Sequence, residues 1–336
     1  MLCSFGPDLR LQGAHFLGMA AGAYCIRKDT AFMSRSVAVM MSSCNGAPFI
    51  AEQIESILDQ VGVDVHLYVR DDGSSDATPS ILEAYADHDK VDVVHGAHLG
   101  IGNSFMQLLW SLPDTYDYYA FSDQDDIWMQ DKLAAAVDML EATSATLYAS
   151  NLVCMDEEGN PQGTRFKSWE FRSDALFFVT KSFFYGCTQV FDRSLFLTMS
   201  RRRPSEESLN KFLHDTWVAV SASIVGTPVF DPTPHIGYRR HKNNHTAFDK
   251  GLVFIWKLRL RKLLNPDLRG TRSALAQELL ACYGDCLDPR EKDMLGTLAG
   301  ARKPANRLAL AMNRTAYKAQ WESDAWFVAK TLAGFL

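Results

Sequence analysis

Short apolar runs alternate with helix-like patterns through the first part of the chain. A continuous apolar run of strand length occurs at residues 37–41, an apolar and aromatic run at residues 116–121, and further predicted strands at residues 65–69 and 91–95. Between the first two of these segments along the chain, residues 48–60 carry apolar side chains at helical spacing. Strands that alternate with helices through short connections are typical of a mostly parallel sheet with helices on both faces. The sequence therefore predicts an α/β fold, whose ligands bind beyond the carboxyl ends of the strands.

Polar turns follow three of these strands, and two of the turns are acidic. They span residues 42–45, 71–76 and 123–126. In the third turn, Asp123, Asp125 and Asp126 directly follow a buried strand. Mg²⁺ or Mn²⁺ is held by one or two carboxylates while water and phosphate complete its shell, so this turn suits a metal–diphosphate complex. The alternative is a solvated acidic turn that caps the next helix.

The first two turns supply candidates for binding a nucleotide. Either Asp71 or Asp72 can accept a hydrogen bond from the imide N–H of uracil or thymine, and Gly73 permits a close approach to the backbone. Residues 74–76 can equally be an ordinary helix cap. The first turn contributes Ser42, Cys44 and Asn45 to the candidate nucleotide-sugar site.

Together the three turns resemble the nucleotide-sugar domain of the inverting family 2 glycosyltransferases, which have the GT-A type fold. The motifs are Ser-Ser-Cys-Asn-Gly, Arg-Asp-Asp-Gly-Ser-Ser-Asp-Ala-Thr and Ser-Asp-Gln-Asp-Asp-Ile-Trp, in this order. They are most similar to the bacterial rhamnosyltransferase-like members of that family. The resemblance extends over residues 37–247, about two thirds of the chain.

The resemblance implies a role for several of these residues. It implies that Asp71 or Asp72 reads the base, that Asp123 lies near the ribose and diphosphate, and that Asp125 coordinates the metal. The chain departs from the family pattern at Cys44, because the first turn of these enzymes usually carries an aromatic side chain that stacks on the base.

A second group of candidates lies between residues 183 and 241. Residues 183–191 resemble the strand that passes the acceptor pocket, where Gly186 and Cys187 would lie. The segment from Tyr238 resembles the closing segment of the family, which implies that Arg239 steadies the diphosphate and that His241 contacts metal or phosphate.

The candidate base belongs to an apolar helix that begins with His214-Asp215-Thr216-Trp217. Glycosyl transfer with inversion needs one base to remove the proton of the acceptor hydroxyl, and the family pattern gives that role to Asp215. An aspartate in the first turn of a helix also stabilises the helix without any chemistry. His214 is a further acceptor-side candidate, and Trp217 offers an apolar wall either for a sugar or for the core.

Charge is distributed unevenly along the chain. The net charge is −6, yet residues 249–336 contain fifteen Lys and Arg against nine Asp and Glu, or +6, which leaves −12 for residues 1–248. The acidic body argues against nucleic acid as a partner. The seven cysteines show no Cys-x-x-Cys spacing, so we expect reduced thiols in the cytoplasm, with neither structural zinc nor disulfides.

These patterns predict three regions. Residues 1–36 form an N-terminal arm, residues 37–247 form the catalytic domain with its halves meeting at residue 133, and residues 248–336 form a basic helical appendage. A basic amphipathic helix at residues 252–264 suits either the inner face of an anionic membrane, or docking onto the catalytic domain or a second subunit.

The favoured function is metal-dependent transfer of a single sugar from a nucleoside-diphosphate donor to a saccharide or lipid-linked acceptor in cell-surface polysaccharide synthesis. Rhamnose from dTDP-rhamnose is the leading donor, and this choice rests on the resemblance alone. Two alternatives stay open, a nucleotidyltransferase on a similar sheet and a non-catalytic binding module that kept the fold. Against the nucleotidyltransferase, this chain lacks the Gly-rich, Arg-containing loop that such an enzyme needs after its first strand.

Overall fold

The described part of the chain covers most of the predicted catalytic domain and of the C-terminal helices. The computed structural model describes residues 35–166, 175–180, 184–241, 270–317 and 323–336. Residues 1–34 of the predicted arm and the basic helix predicted at 252–264 lie outside the described residues, and both stay predictions. Within the described ranges, no helix combines the length and the apolar character that a membrane span requires.

Nine strands within the described residues form one sheet. They are β1 Ser36–Ser43, β2 Asp64–Asp71, β3 Val91–His95, β4 Tyr118–Ser122, β5 Ile127–Trp128, β6 Leu147–Met155, β7 Pro161–Thr164, β8 Val190–Asp192 and β9 Pro228–Arg239. The order across the sheet is β3-β2-β1-β4-β8-β6-β9-β5, and β7 pairs with β6. Strands β1 to β4 run parallel, and β8 joins β4 to β6 in antiparallel fashion.

Helices cover both faces of this sheet, as predicted. They are α1 Ile50–Leu58, α2 Thr78–Glu83, α3 Ile101–Ser111, α4 Lys132–Thr143, α5 Ala175–Thr180, α6 Arg193–Arg201, α7 Glu206–Val225, α8 Thr271–Tyr283, α9 Pro289–Ala299, α10 Pro304–Met312, α11 Arg314–Tyr317 and α12 Asp324–Leu332. Along β1, Ala38 and Met40 join the cluster with α3, α6, α7 and α8, whereas Val39 and Met41 join the cluster with α1, α2 and α4. Alternate residues of a strand point to opposite faces, so a continuously apolar strand fits a sheet that is covered on both sides.

Strand register brings the three polar turns to one edge of the sheet. Ser43 at the end of β1 lies opposite Asp71 of β2, and Met41 lies opposite Ser122 of β4. The turns that follow these residues therefore begin side by side, which confirms the predicted α/β arrangement.

Two predicted elements have different limits in the structure. Instead of a strand through residues 183–191, the described part contains a 3₁₀ turn at Gly186–Thr188 and the short strand β8. Within the predicted helical region at residues 248–336, the last helices are short, because α10 ends before Asn313 and Ser323 caps a new helix, α12.

The C-terminal helices pack into the main core. The Tyr283 hydroxyl of α8 donates to Ser221 Oγ of α7 at 2.8 Å, and the Tyr283 ring lies 5.6 Å from Trp217. Both aromatic side chains are fully buried. The predicted C-terminal helices are therefore present, and α8 shares its apolar contacts with α7. The predicted limits of the three regions stay predictions.

Candidate active site

The acidic turn at residues 123–126 is a loop between β4 and β5. Asp126 is fully buried in this loop, and its Oδ1 accepts a hydrogen bond of 3.2 Å from the backbone N–H of Arg239. Asp125 pairs with His241, since Asp125 Oδ2 lies 2.6 Å from His241 Nε2. The end of β9 thus returns to the loop and brings the two predicted metal ligands Asp125 and His241 side by side.

Three carboxylates from distant parts of the chain interact at this loop. Burial, and then the charges of Asp125 and Asp215, raise the pKa of Asp123 to about 7. Burial also raises the pKa of Asp215 to about 6. A divalent cation relieves repulsion of this kind between carboxylates. Asp123, Asp125 and His241 offer oxygen and nitrogen donors of the kind that a divalent cation accepts.

Asp215 lies immediately after a break in α7. Leu213 has φ 65° and ψ 164°, so the helical conformation stops there and resumes at His214. The Asp215 carboxylate accepts the backbone N–H of Thr216 at 2.6 Å, and the Asp215 carbonyl accepts from Gln189 Nε2 at 3.0 Å. The helix was predicted to begin at His214, whereas its first half already starts at residue 206. The break and the Gln189 tether together fix Asp215 beside the acidic loop.

Gly186 and His214, both predicted on the acceptor side, lie against each other. A Cβ atom added at Gly186 would lie 2.6 Å from His214 Nε2 and 3.5 Å from Asp215 Cβ. The His214 ring is 3% exposed and stacks on Phe105 with 4.0 Å between ring centroids. Neither ring nitrogen has a hydrogen-bond partner among the described residues, and burial lowers the pKa of His214 to about 3. His214 is therefore a neutral core residue beside Asp215.

Gln124 joins the first polar turn to the acidic loop. Its Oε1 accepts from Ser43 Oγ and from the backbone N–H of Cys44, each at 2.9 Å, and its Nε2 donates to the Cys44 carbonyl at 3.1 Å. Asn45 has φ 52°, and its Oδ1 accepts from the backbone N–H of Ser75 at 2.8 Å. The half-buried Cys44 is thus held between two turns. Sequence analysis missed Gln124 and Gln189, because their roles depend on partners distant in the chain.

Asp72 has a structural task that sequence analysis did not anticipate. Its carboxylate pairs with Arg70 and accepts the backbone N–H groups of Leu99 at 2.8 Å and Gly100 at 3.0 Å. The side chain is 2% exposed. Because these contacts occupy both carboxylate oxygens at the start of α3, the placement of Asp72 does not support its predicted role in reading a base.

Asp71 lies at the same edge and is also buried, with Ser74 and His95 as partners of its carboxylate. Its Oδ1 accepts from the hydroxyl of Ser74 at 2.5 Å. Gly73 follows with φ 77°, a left-handed conformation that favours glycine, and a Cβ atom there would lie 3.1 Å from a backbone nitrogen. Ser42 donates its hydroxyl to Ser104 Oγ at 2.6 Å. The predicted nucleotide residues therefore lie at one edge, where several stabilise the turns themselves.

Arg239 is buried, which corrects its predicted contact with the diphosphate. The side chain is 3% exposed. Its guanidinium donates to Glu52 at 2.5 Å, to the carbonyl of Glu157 at 2.6 Å and to the carbonyl of Asp125 at 3.1 Å. Arg239 therefore braces the acidic loop against α1 and has no exposed surface for an incoming phosphate.

Trp217 belongs to the core. Its side chain is fully buried and lies between Phe212, at 5.8 Å, and Tyr283, at 5.6 Å between ring centroids. Of the two roles that the sequence allows, the structure supports the core and not the sugar wall.

Cys187 also differs from its predicted place in the acceptor pocket. It is fully buried beneath the acidic loop, where its Sγ and one carboxylate oxygen each of Asp123 and Asp126 all lie within 4.8 Å of one another. Burial raises the pKa of the thiol well above its ordinary value. Cys187 therefore faces carboxylates rather than an acceptor.

A mostly parallel sheet that ends in this acidic loop, with a partly buried carboxylate from a distant helix beside it, defines the GT-A type fold of nucleotide-diphospho-sugar transferases. The fold agrees with a solved member, since S. aureus TarS 1–349 in complex with UDP-GlcNAc superimposes with a TM-score of 0.50 at 15% identity, over 89% of this chain and 90% of that one. This likeness concerns the fold alone.

Sequence comparison finds one matching family model and several relatives. The model of glycosyl transferase family 2 matches residues 38–199 of this chain. The dTDP-rhamnosyl transferase RfbG of Shigella flexneri is 28% identical over 215 residues, which are 62% of this chain and 73% of that protein. The chondroitin synthase of Escherichia coli is 30% identical over 130 residues, 37% of this chain and 18% of that protein. The chain is therefore similar to glycosyl transferase family 2 over these residues, and the match and the named relatives support a glycosyltransferase.

Proposed function

We propose that this protein transfers a single sugar from a nucleoside-diphosphate donor to a saccharide or lipid-linked acceptor, with inversion and with a divalent metal. The observation that carries the proposal is that Asp215 lies close enough to the acidic loop for its charge to act on Asp123, where burial first, and then the charges of Asp125 and Asp215, raise the pKa to about 7. A base and an anion-neutralising centre at one edge of the sheet are the two groups that inverting transfer requires.

Asp125, Asp123 and His241 would hold Mg²⁺ or Mn²⁺. Bound there, the metal supplies charge neutralisation for the diphosphate leaving group. Asp125 and His241 already form one pair at 2.6 Å, and Arg239 fixes the loop behind them. The protein's own task is thus to keep acidic ligands close together at the end of β4 before the donor arrives.

Asp215 is the proposed base. Its pKa of about 6 leaves the carboxylate ionised at neutral pH and makes it a stronger base than an exposed aspartate. It accepts the proton of the acceptor hydroxyl as that oxygen attacks the anomeric carbon, while the sugar–phosphate bond breaks. We expect Asp215→Asn to lower turnover by about 10²–10⁴-fold and to leave nucleotide binding intact.

The proposed donor is dTDP-rhamnose, in keeping with the printed name of the Shigella flexneri relative and with the family resemblance. Asp71 would accept the imide N–H of the base, since its Oδ2 has only long contacts with Ser74 and His95, at 3.4 Å and 3.5 Å, whereas both oxygens of Asp72 accept backbone N–H groups at 2.8 Å and 3.0 Å. Ser42, Cys44, Asn45 and Gly73 would line the nucleotide end. The setting would be cell-surface polysaccharide synthesis, at the inner side of the cell membrane.

A thermal-shift screen of nucleotide sugars, with and without Mn²⁺, tests the proposal. We expect stabilisation by thymidine donors only when Mn²⁺ is present. Selective stabilisation by uridine donors would remove rhamnose as the donor. Binding of nucleoside triphosphates with release of pyrophosphate would favour a nucleotidyltransferase, and the absence of both turnover and nucleotide binding would favour a binding module.

A further inference from the structure

The buried side of the acidic loop carries polar groups that the proposed mechanism does not use. Asp126 is fully buried and its Oδ2 has no hydrogen-bond partner of conventional geometry among the described residues. Lys132 is also fully buried, and its Nζ lies 3.4 Å above the Trp128 ring without a hydrogen-bond acceptor in the described part of the chain. A buried carboxylate and a buried ammonium are both costly when they lack partners.

Cys187 completes this group of side chains. Its Sγ and carboxylate oxygens of Asp123 and Asp126 lie within 4.8 Å of one another, and the charges of Asp126 and Cys187 act on Lys132. In a tetrahedral zinc site, ligand atoms lie about 2.0–2.3 Å from the ion and hence roughly 3.5 Å from each other. The three side chains therefore need only a small contraction to enclose one ion.

We propose that Asp123, Asp126 and Cys187 form a second metal site, deeper than the Asp125–His241 pair, which binds a thiophilic divalent cation such as Zn²⁺. Two carboxylates and one thiolate are a set of ligands that zinc accepts, with water as the fourth ligand. Asp123 is partly exposed and gives an ion access from solvent, whereas Cys187 and Asp126 are fully buried.

Charge balance supports the proposed site. The thiol releases its proton to solvent on binding, so the three ligands carry −3 and the ion +2. The remaining negative charge favours the protonated form of Lys132, whose pKa burial lowers to about 7, and protonated Lys132 would bring the sum to zero. The bound ion also satisfies Asp126 Oδ2, which is otherwise without a strong donor.

Binding of Cd²⁺ to the full chain tests the site directly, because a cadmium–thiolate bond produces an ultraviolet charge-transfer band. We expect this band, and one Cd²⁺ per chain by equilibrium dialysis, in the wild type and in the matched control Cys286→Ser, which removes an exposed thiol. Cys187→Ser should lose the band, and Zn²⁺ should displace Cd²⁺ from the wild type. An unchanged band in Cys187→Ser would overturn the proposal.

A second variant keeps the thiol and tests the carboxylate. Asp126→Asn preserves the shape of the side chain, and we expect the affinity for Cd²⁺ to fall by about tenfold or more. Equal affinity in this variant would contradict the site even if Cys187→Ser failed to fold.

A functional consequence rests on the proposed transferase reaction. Zn²⁺ that engages Asp123 withdraws a ligand from the donor metal, so Zn²⁺ should inhibit turnover supported by Mn²⁺ in the wild type and much less in Cys187→Ser. The two proposals can fail separately, because Asp125→Ala should abolish the effects of Mn²⁺ and leave the Cd²⁺ band in place.

Discussion

At the scale of single residues, the site depends on how closely Gly186 approaches the helix that carries the proposed base. Gly186 lies where any side chain would meet His214, and Asp215 is the next residue along α7. The close contact explains why a residue without a Cβ atom occupies this turn. The position of Asp215 relative to the acidic loop is therefore set partly by backbone contact.

We predict that Gly186→Ala displaces His214 and Asp215. Overpacking of this kind costs about 1–3 kcal/mol in the free energy of unfolding. A displacement of the base on the order of 1 Å would lower turnover by about 100-fold. Urea denaturation and donor turnover measure the two effects.

The matched control is Gly296→Ala, because a Cβ atom at Gly296 in α9 has no neighbour within 4 Å. A helical glycine replaced by alanine gains up to about 1 kcal/mol. The account of Gly186 would be contradicted if both variants kept full turnover and stability.

At the scale of elements, β9 is joined to its neighbours β5 and β6 by backbone pairing and also by a group of polar and charged side chains. His235 Nε2 lies 3.3 Å from Asp231 Oδ2, and Tyr148 of β6 donates its hydroxyl to the same carboxylate at 3.0 Å. Asp131 lies 3.3 Å from the other ring nitrogen. The hydrogen bond to Asp231 is the largest of the effects that raise the pKa of His235, and hydrogen bonds lower the pKa of Asp231 despite its burial.

This group predicts a pH dependence of stability. The contribution of His235 is complete below its ordinary pKa of 6.5 and is lost as the pH rises through its higher folded value. The contribution of Asp231 is present above its ordinary pKa of 3.8 and is lost as the pH falls through its lower folded value. Stability from the pair is therefore greatest between these two ordinary values.

Chemical denaturation at a series of pH values measures this effect. The wild type should lose stability as the pH rises above 6.5, and His235→Gln should lose much less over the same interval, because glutamine does not titrate. Identical slopes for the two proteins would show that His235 does not contribute in this way.

At the scale of the whole molecule, the C-terminal helices belong to the core beneath the base-carrying helix. Tyr283 of α8 contacts Ser221 and Trp217 of α7, and Arg202 pairs with Asp285 at the end of α8. These contacts connect the predicted C-terminal region with the catalytic domain. The two parts should therefore unfold together.

We predict that Tyr283→Ala destabilises the protein by about 3–5 kcal/mol, as is usual when a large aromatic is removed from a core. Circular dichroism and loss of nucleotide binding in urea should show coincident transitions. Leu308→Ala is the control, since Leu308 lies on α10 but is 57% exposed, and its cost should stay within about 0.5 kcal/mol. A separate early transition for the C-terminal helices would contradict this view.

The local pattern of apolar and polar residues predicts much of the fold but less of the candidate site. The centre of β1 is continuously apolar because both faces of this strand are covered, and this is visible in the sequence. Arg239 and Asp72 are polar residues whose partners come from other elements, so their burial could not be predicted. The same holds for Cys187, which reaches the acidic loop only through the turn at Gly186–Thr188.

The most direct test of the central claim is the release of nucleoside diphosphate from the best-binding donor in Mn²⁺, measured for the wild type, Asp125→Ala and Asp87→Ala. Asp87 is an exposed aspartate outside the site and serves as the matched control. The account predicts release by the wild type and by Asp87→Ala, its loss with a metal chelator, and no release by Asp125→Ala. Equal release by Asp125→Ala and the wild type would contradict it.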